Sequence, residues 1–244
     1  MKKISFLLIT IFAILLIISG CKTTETQITE YRDSIYVSSN INEKEAAISI
    51  LKGEKFNHPT FVIWQEDMEG NFVQTIFITK SYASGVFGHG MVGDSMWMDK
   101  PGESIQPAAL PYWTHKKGLI NGKNLVPTPQ NPYVDAYTGA TPTNDFVFET
   151  ILEEGQYKIL LEVNQTWDWN KFWTNNKFPE SDAYKHSAQP SIIYAVTINS
   201  DDKEYFLNPI GHGDPKGESG KLFTDLSTLT TAKEIFKSIK VSFK

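Results

Sequence analysis

The chain has 244 residues, of which 41% are hydrophobic, and its 23 basic and 28 acidic residues give a formal net charge of −5. This length suffices for one domain with a well-buried core, and the single cysteine excludes a disulfide framework. The basic residues form no run or stripe that could follow a phosphate backbone, so we expect no nucleic-acid partner.

The N-terminus has the layout of an export signal. Lys2 and Lys3 precede an apolar stretch from Ile4 to Ile18, which is shorter than the roughly 20 residues that a transmembrane helix needs. The stretch ends in Ser19-Gly20-Cys21, and Ile18 to Cys21 resembles the lipobox of bacterial lipoproteins. The alternative is an ordinary signal peptide followed by a chance cysteine.

The lipobox resemblance implies that residues 1–20 are removed and that Cys21 carries the lipid, palmitate included. A lipid would also explain a lone cysteine outside the cytoplasm, where a free thiol is open to oxidation. Removing Lys2 and Lys3 leaves 21 basic against 28 acidic residues, a formal charge of −7, so membrane attachment should depend on the lipid alone. Lys22 replaces the aspartate associated with inner-membrane retention, which favours the outer membrane of the cell envelope.

The next segment, residues 21–42, is polar and rich in Thr and Ser, as expected of a flexible tether. A weak strand pattern runs from Thr29 to Val37, which would make a loose edge strand. We place the folded domain at residues 43–244.

Two β-hairpins are predicted from alternating apolar residues. The first joins Phe61–Trp64 to Phe72–Thr79, and apolar side chains fall on both faces of its second strand. The second joins Phe146–Ile151 to Tyr157–Val163 through a turn in which Gly155 should take a positive φ.

A third hairpin is predicted from Ser191–Ile198 and Glu204–Leu207, and Ile239–Phe243 reads as a half-buried final strand after a helical turn at Thr231–Glu234. Hairpins without βαβ alternation predict an all-β fold, an antiparallel immunoglobulin-like β-sandwich. It carries two long insertions, Ser81–Asn131 and Asn164–Pro190, which should be functional or packed as lids.

The most specific motif is Asp135-x-x-Thr138-Gly139-Ala-Thr141. It resembles the acceptor motif on which periplasmic flavin transferases attach FMN by a phosphoester to the last threonine, which needs a hydroxyl in an exposed, glycine-opened loop. Pro142 departs from the motif because its fixed φ restricts the loop beside the acceptor. The competing interpretation is a structural turn that enters the Phe146 strand.

Four segments together resemble a family of predicted periplasmic proteins of unknown function. The resemblance covers about residues 59–165, and it rests on Phe61–Trp64, Tyr112–Gly118, Val134–Pro142 and Gly155–Val163. Members of that family are similar to the immunoglobulin-like domain of flagellar hook-capping proteins and occur beside flavin transferases and membrane redox proteins. The resemblance implies such partners, FMN as the candidate cofactor, and an accessory module more readily than an enzyme.

A second candidate site is the aromatic segment with Trp167, Trp169 and Trp173, which lie among amide side chains. Flat apolar faces beside hydrogen-bonding groups are typical of a glycan-binding platform. The alternative is a long loop that its tryptophans pin onto the sandwich.

Neither a metal site nor a hydrolytic site is predicted. His89, His115, His186 and His212 are dispersed. The closest pairs of histidine and carboxylate are His89 with Asp94 and His212 with Asp214, whereas a metal needs three or four ligands. The glycine-rich stretch before Leu222 lacks the residues of a phosphate-binding loop. The leading hypothesis is therefore a lipid-anchored, non-enzymatic interaction module, with an FMN carrier and a glycan-binding module as alternatives.

Overall fold

A computed structural model describes residues 31–34, 43–92, 96–199 and 202–244. The predicted signal peptide and Cys21 lie outside these residues, as does the rest of residues 21–42 apart from a short strand. The strands are β1 (Tyr31–Ser34), β2 (Glu43–Lys52), β3 (Thr60–Glu66), β4 (Phe72–Thr79), β5 (Val86–Phe87), β6 (Met91–Val92), β7 (Met96–Trp97), β8 (Gly102–Glu103), β9 (Tyr137–Gly139), β10 (Phe146–Glu153), β11 (Tyr157–Asn164), β12 (Ile192–Ile198), β13 (Glu204–Phe206), β14 (Asn208–His212) and β15 (Phe236–Phe243). The helices are α1 (Lys80–Ser84), α2 (Pro111–Lys117) and α3 (Asp182–Ser187), and a 3-10 helix spans Thr231–Glu234.

Two sheets pack face to face around the main core. Sheet A has the order β1-β10-β2-β15-β13, and sheet B has the order β14-β12-β11-β3-β4-β9. Ile48 and Ile239 of sheet A share one buried cluster with Ile63 and Leu161 of sheet B. The all-β sandwich that the alternating apolar strands predict is confirmed.

The first predicted hairpin is confirmed, because β3 and β4 pair with each other. The second is wrong as a hairpin: β10 and β11 follow each other along the chain but lie in different sheets. β10 pairs with β2 in sheet A, and β11 pairs with β3 and β12 in sheet B. The turn at Gly155, which has a φ of 134°, therefore carries the chain from one sheet to the other.

The third predicted hairpin is wrong in the same way. β12 lies in sheet B and pairs with β14, whereas β13 lies in sheet A and pairs with β15. The Tyr205 ring is buried in the main core, and its hydroxyl accepts hydrogen bonds from the Asn199 and Asp202 amides, which fixes the turn in this crossing conformation. Alternation along a strand sets its buried face but not its partner strand.

Two edge pairs depart from a purely antiparallel arrangement. β1 runs parallel to β10, and β9 runs parallel to β4. Parallel neighbours need a long connection rather than a hairpin, and here the connections are residues 35–145 and 80–136. β1 falls within the weak strand pattern of Thr29–Val37.

A second core lies on the outer face of sheet B. Trp64 and Leu160 of the sheet are buried against Leu110 and Trp113 of the first insertion and against Tyr133, which follows it. The insertion is thus a third layer, which explains why apolar residues occupy both faces of the central strands of sheet B.

The strand directions define two ends of the sandwich. We call one the Phe146 end, because β10 begins there opposite Ile50 of β2, with Thr60 and Asn164 paired at the same end of sheet B. The Phe61 and Phe146 rings meet across the core with centroids 6.3 Å apart, so these ends of the two sheets coincide. We call the other the Gly155 end.

Candidate functional site

A pocket of about 510 Å³ lies at the Phe146 end. Its lining brings Thr141 of the flavin-type motif together with Trp167 of the aromatic segment, two residues that the sequence nominated independently. Other lining side chains are the hydroxyl, amide and imidazole groups of Thr60, Gln106 and His58. Pockets of this size bind small molecules.

The pocket combines aromatic faces with hydrogen-bonding side chains. Trp167 and Phe87 supply aromatic faces, and Asn57, Thr141 and Thr166 supply donors and acceptors. Among the lining residues that the structure describes there is no carboxylate, cysteine, lysine or arginine. Such a lining suits a ligand with a flat ring and polar substituents.

Two residues of the pocket have a strained backbone. His58 has a φ of 51° and Trp167 a φ of 60°, and they are two of only four non-glycine residues with positive φ in the described part of the chain. The Asn57 amide donates to Gln165 Oε1 at 2.8 Å, and the Trp169 amide donates to the Trp167 carbonyl at 3.0 Å, so surrounding contacts hold this shape. Strain of about 1–3 kcal/mol per residue persists where a fold over-determines it, and it concentrates at binding sites.

The flavin-type motif is only partly a loop. Thr138 and Gly139 belong to β9 and pair with Ile78 and Thr79, which corrects the expectation of an exposed loop over residues 138–141. A Cβ on Gly139 would lie 2.8 Å from the Phe77 ring, so packing of the edge strand requires glycine there. The chain leaves the sheet only at Ala140.

The motif residues therefore separate in space. Thr141 is half-buried at the pocket, whereas Asp135 is exposed and lies outside the lining. The structural-turn interpretation accounts for Thr138 and Gly139, and the position of Thr141 is the part of the motif that bears on binding.

The three tryptophans do not form one platform, which corrects the geometry that a glycan site would need. Trp173 is only 5% exposed, and its indole N–H donates to Thr228 Oγ1 at 3.2 Å. Trp169 is half-buried and packs edge-on against Tyr184 with centroids 5.6 Å apart. Trp167 alone is 51% exposed, at the pocket.

Hydrogen bonds from two amide side chains, those of Gln189 and Asn170, attach the second insertion to residues 228–231, which precede the last strand. Gln189 Nε2 donates to Thr231 Oγ1 at 2.7 Å, and Gln189 Oε1 accepts from the Thr230 amide at 2.8 Å. Asn170 Nδ2 donates to the Thr228 carbonyl at 2.9 Å. We refer to these bonds as the Gln189 clasp, and they hold the segment that contains Trp167.

A carboxylate that the sequence analysis missed sits between sheet B and α2. Glu162 is fully buried and accepts from the Trp113 amide at 2.7 Å, the Tyr112 amide at 3.2 Å and Ser191 Oγ at 2.6 Å. Burial raises the pKa of Glu162 to about 7, an effect that these three hydrogen bonds partly oppose. It lies outside the pocket lining and attaches the first insertion to the sheet.

The one sequence feature that could have pointed to Glu162 is its position between Leu161 and Val163 in an apolar strand, β11, which the first insertion covers. Sequence alternation alone assigned its face to solvent, because the covering layer comes from residues far away along the chain.

His58 and His89 line the same pocket, and the other described histidines lie apart from it. His212 is buried against the Phe223 ring, with centroids 5.2 Å apart and planes 10° apart, and burial lowers its pKa. Asp94, the predicted neighbour of His89, lies outside the described residues. Within residues 43–92, 96–199 and 202–244, no three His, Cys, Asp or Glu side chains converge as a metal site would need. None of the described helices is both long and apolar enough to cross a membrane.

No model of a known protein family matches this chain, and no similar curated protein or solved structure was found. The family resemblance drawn from the short motifs therefore stays a prediction.

Proposed function

We propose that this chain is a lipid-anchored, non-enzymatic accessory module of the bacterial cell envelope, which binds a small polar ligand in the Thr141 pocket beside a flavin-dependent redox system. One observation carries the binding role. The two strained residues, His58 and Trp167, lie at the pocket that also contains Thr141. A fold keeps such strain where a side chain must be held in a fixed position.

The chemistry of the lining supports binding more than turnover. Hydrolysis needs a nucleophile or acid with a matched base, and Glu162 and Asp168, carboxylates whose pKa is raised by burial, both lie outside the pocket lining. The lining instead offers an aromatic face at Trp167 and hydrogen-bonding groups around it. These are the features of a site that orients a ligand.

The test is a titration of the full-length acylated protein in detergent with free FMN, followed by flavin fluorescence. We expect Trp167→Ala to weaken FMN binding about fivefold, because a stacked aromatic pair is worth roughly 1 kcal/mol. Phe172→Ala is the matched control, since Phe172 is 50% exposed but lies outside the pocket lining. No FMN binding by the unaltered protein, or an equal loss in both variants, would contradict the proposal.

A second candidate is a covalent FMN carrier, which the position of Thr141 favours. Its hydroxyl belongs to the last residue of the acceptor-type motif and lines a pocket with the Trp167 and Phe87 rings. Thr141 Oγ would carry the phosphoester, and the two rings would lie against the flavin. When bound, FMN supplies transfer of one or two electrons.

Intact mass of the protein from its native host distinguishes this carrier from the binding module. The carrier requires an FMN-sized adduct that Thr141→Val abolishes and that the matched change Thr138→Val, in the edge strand, leaves in place. A mass without the FMN adduct in the native host would rule the carrier out while leaving reversible binding intact.

A further inference from the structure

We propose that the Phe146 end of the sandwich faces the bilayer that holds Cys21, so that the Thr141 pocket works against the lipid headgroup layer. This inference rests on the proposed lipid anchor. It adds an orientation and an interaction surface that the anchor alone does not specify.

The direction of β1 carries the argument. Tyr31 is paired with Phe146 and Ser34 with Glu149, and the two strands are parallel. The chain coming from Cys21 therefore enters the sandwich at the Phe146 end and runs toward the Gly155 end.

The pocket lies at the end where the tether enters. His58 precedes β3 and Thr60 begins it, Thr141 follows β9, and Trp167 follows β11. The opposite end holds the turns at Gly70 and Gly155. Anchor and pocket thus share one end of the molecule.

Chain length limits the alternatives. Cys21 and Tyr31 are ten residues apart, which span at most about 36 Å when fully extended. The eight residues of β10 measure roughly 27 Å along the sheet. To point the Gly155 end at the bilayer, the tether would have to run back along nearly the whole sandwich, which leaves about 10 Å to reach the lipid.

The headgroup layer is the partner that this end fits. An acyl chain in the pocket would leave the amide and hydroxyl groups of Asn57, Gln106 and Thr141 without hydrogen bonds, whereas lipid headgroups can bond them. The charges around this end are of both signs, so they would not by themselves drive binding to anionic lipid. They are exposed or half-buried: Lys52, Glu54, Lys55, Lys80, Asp145, Glu234 and Lys237. The tether, rather than surface charge, sets the orientation.

The test places a fluorescent donor at either end of the acylated, full-length protein. Cys21 is the only natural cysteine, so Asn144→Cys and Lys203→Cys each add one labelling site, both exposed, at the Phe146 and Gly155 ends respectively. The proteins are bound to phosphatidylcholine vesicles that carry an acceptor on the headgroups. We expect more energy transfer from position 144, with a donor distance shorter by on the order of 20 Å.

Equal transfer, or more transfer from position 203, would overturn the inference. Cys21→Ala versions of both proteins separate this outcome from a failure of the anchor, because vesicle binding that persists without Cys21 contradicts the proposed function itself. Thermal unfolding confirms that each variant is folded. A further variant with twenty Gly and Ser residues inserted between Glu25 and Thr26 should lose the difference, and a difference that survives the insertion would contradict the role of the tether.

Discussion

At the scale of single residues, Glu162 is a carboxylate placed where ionisation is costly. Its pKa is raised to about 7 from an ordinary 4.5, mainly by burial. A carboxyl group whose pKa is higher in the folded state favours folding when it is protonated. Its contribution is complete below about pH 4.5 and is lost as the pH rises through about 7.

Glu162→Gln should remove this pH dependence. The free energy of unfolding of the unaltered protein should fall between pH 4.5 and 7 by as much as about 3 kcal/mol from this group, and the variant should lack that fall. Urea unfolding at pH 5 and pH 7.5 measures the difference. Glu154→Gln, in the exposed turn between β10 and β11, is the control and should keep the original slope, whereas an unchanged slope in the Glu162 variant would refute the assignment.

Because the backbone at His58 is strained, replacing this residue with glycine should stabilise the fold and weaken ligand binding in the pocket. Glycine tolerates a φ of 51° without cost, so His58→Gly should stabilise the fold by about 0.5–1 kcal/mol while weakening FMN binding. Lys55→Gly is the matched change at an exposed neighbour without positive φ, and it should destabilise by a similar amount. Thermal unfolding and flavin titration of both variants provide the check, and a less stable His58→Gly would argue against stored strain.

At the scale of elements, the second insertion has little regular structure apart from α3 and depends on its buried polar contacts. Gln189 is 1% exposed and bonds both to the insertion, through the Asp168 carbonyl, and to Thr230 and Thr231. A loop held in this way opens as a unit when its central contact is removed.

Gln189→Ala should therefore destabilise the protein by about 1–3 kcal/mol, since it leaves buried partners without hydrogen bonds. Amide hydrogen exchange should rise first in residues 165–176, around Trp167. Gln74→Ala is the control, because Gln74 is exposed and bonds only Gln65. Exchange that rises uniformly over the sandwich would contradict a local clasp.

How far the sequence predicts these elements follows from the range of the interactions. The residues of β11 that face the main core, Tyr157, Ile159, Leu161 and Val163, can be predicted from the sequence, because alternation along a strand is a local pattern and burial follows it. The pairing of β12 with β14 rather than β13, and the parallel edge strands β1 and β9, depend on chain segments far apart. The helical turn at Thr231–Glu234 was also found, although no side chain caps it.

The candidate site divides in the same way. Residue type and local spacing nominated Thr141 and Trp167, but not that they share a pocket with His58. Positive φ at Trp167 has no sequence signal, because tryptophan does not favour it, and at His58 the residue type alone is too weak a signal to locate it. Glu162 was missed because the layer that buries it is 50 residues away.

At the scale of the whole molecule, the chain forms two sheets with a third layer on sheet B, and its pocket lies at the end where the N-terminal segment enters. The pocket can face the lipid headgroup layer, as proposed, only if the molecule is held at a membrane surface. The lipid on Cys21 is therefore the central claim, since the orientation of the pocket depends on it.

The most direct measurement is the intact mass of the protein extracted from membranes of its native host. We predict a chain that begins at Cys21, lacks residues 1–20, and carries the added mass of acyl chains on its single cysteine. A chain that retains Met1, or one that is cut elsewhere with Cys21 unmodified, would contradict the account.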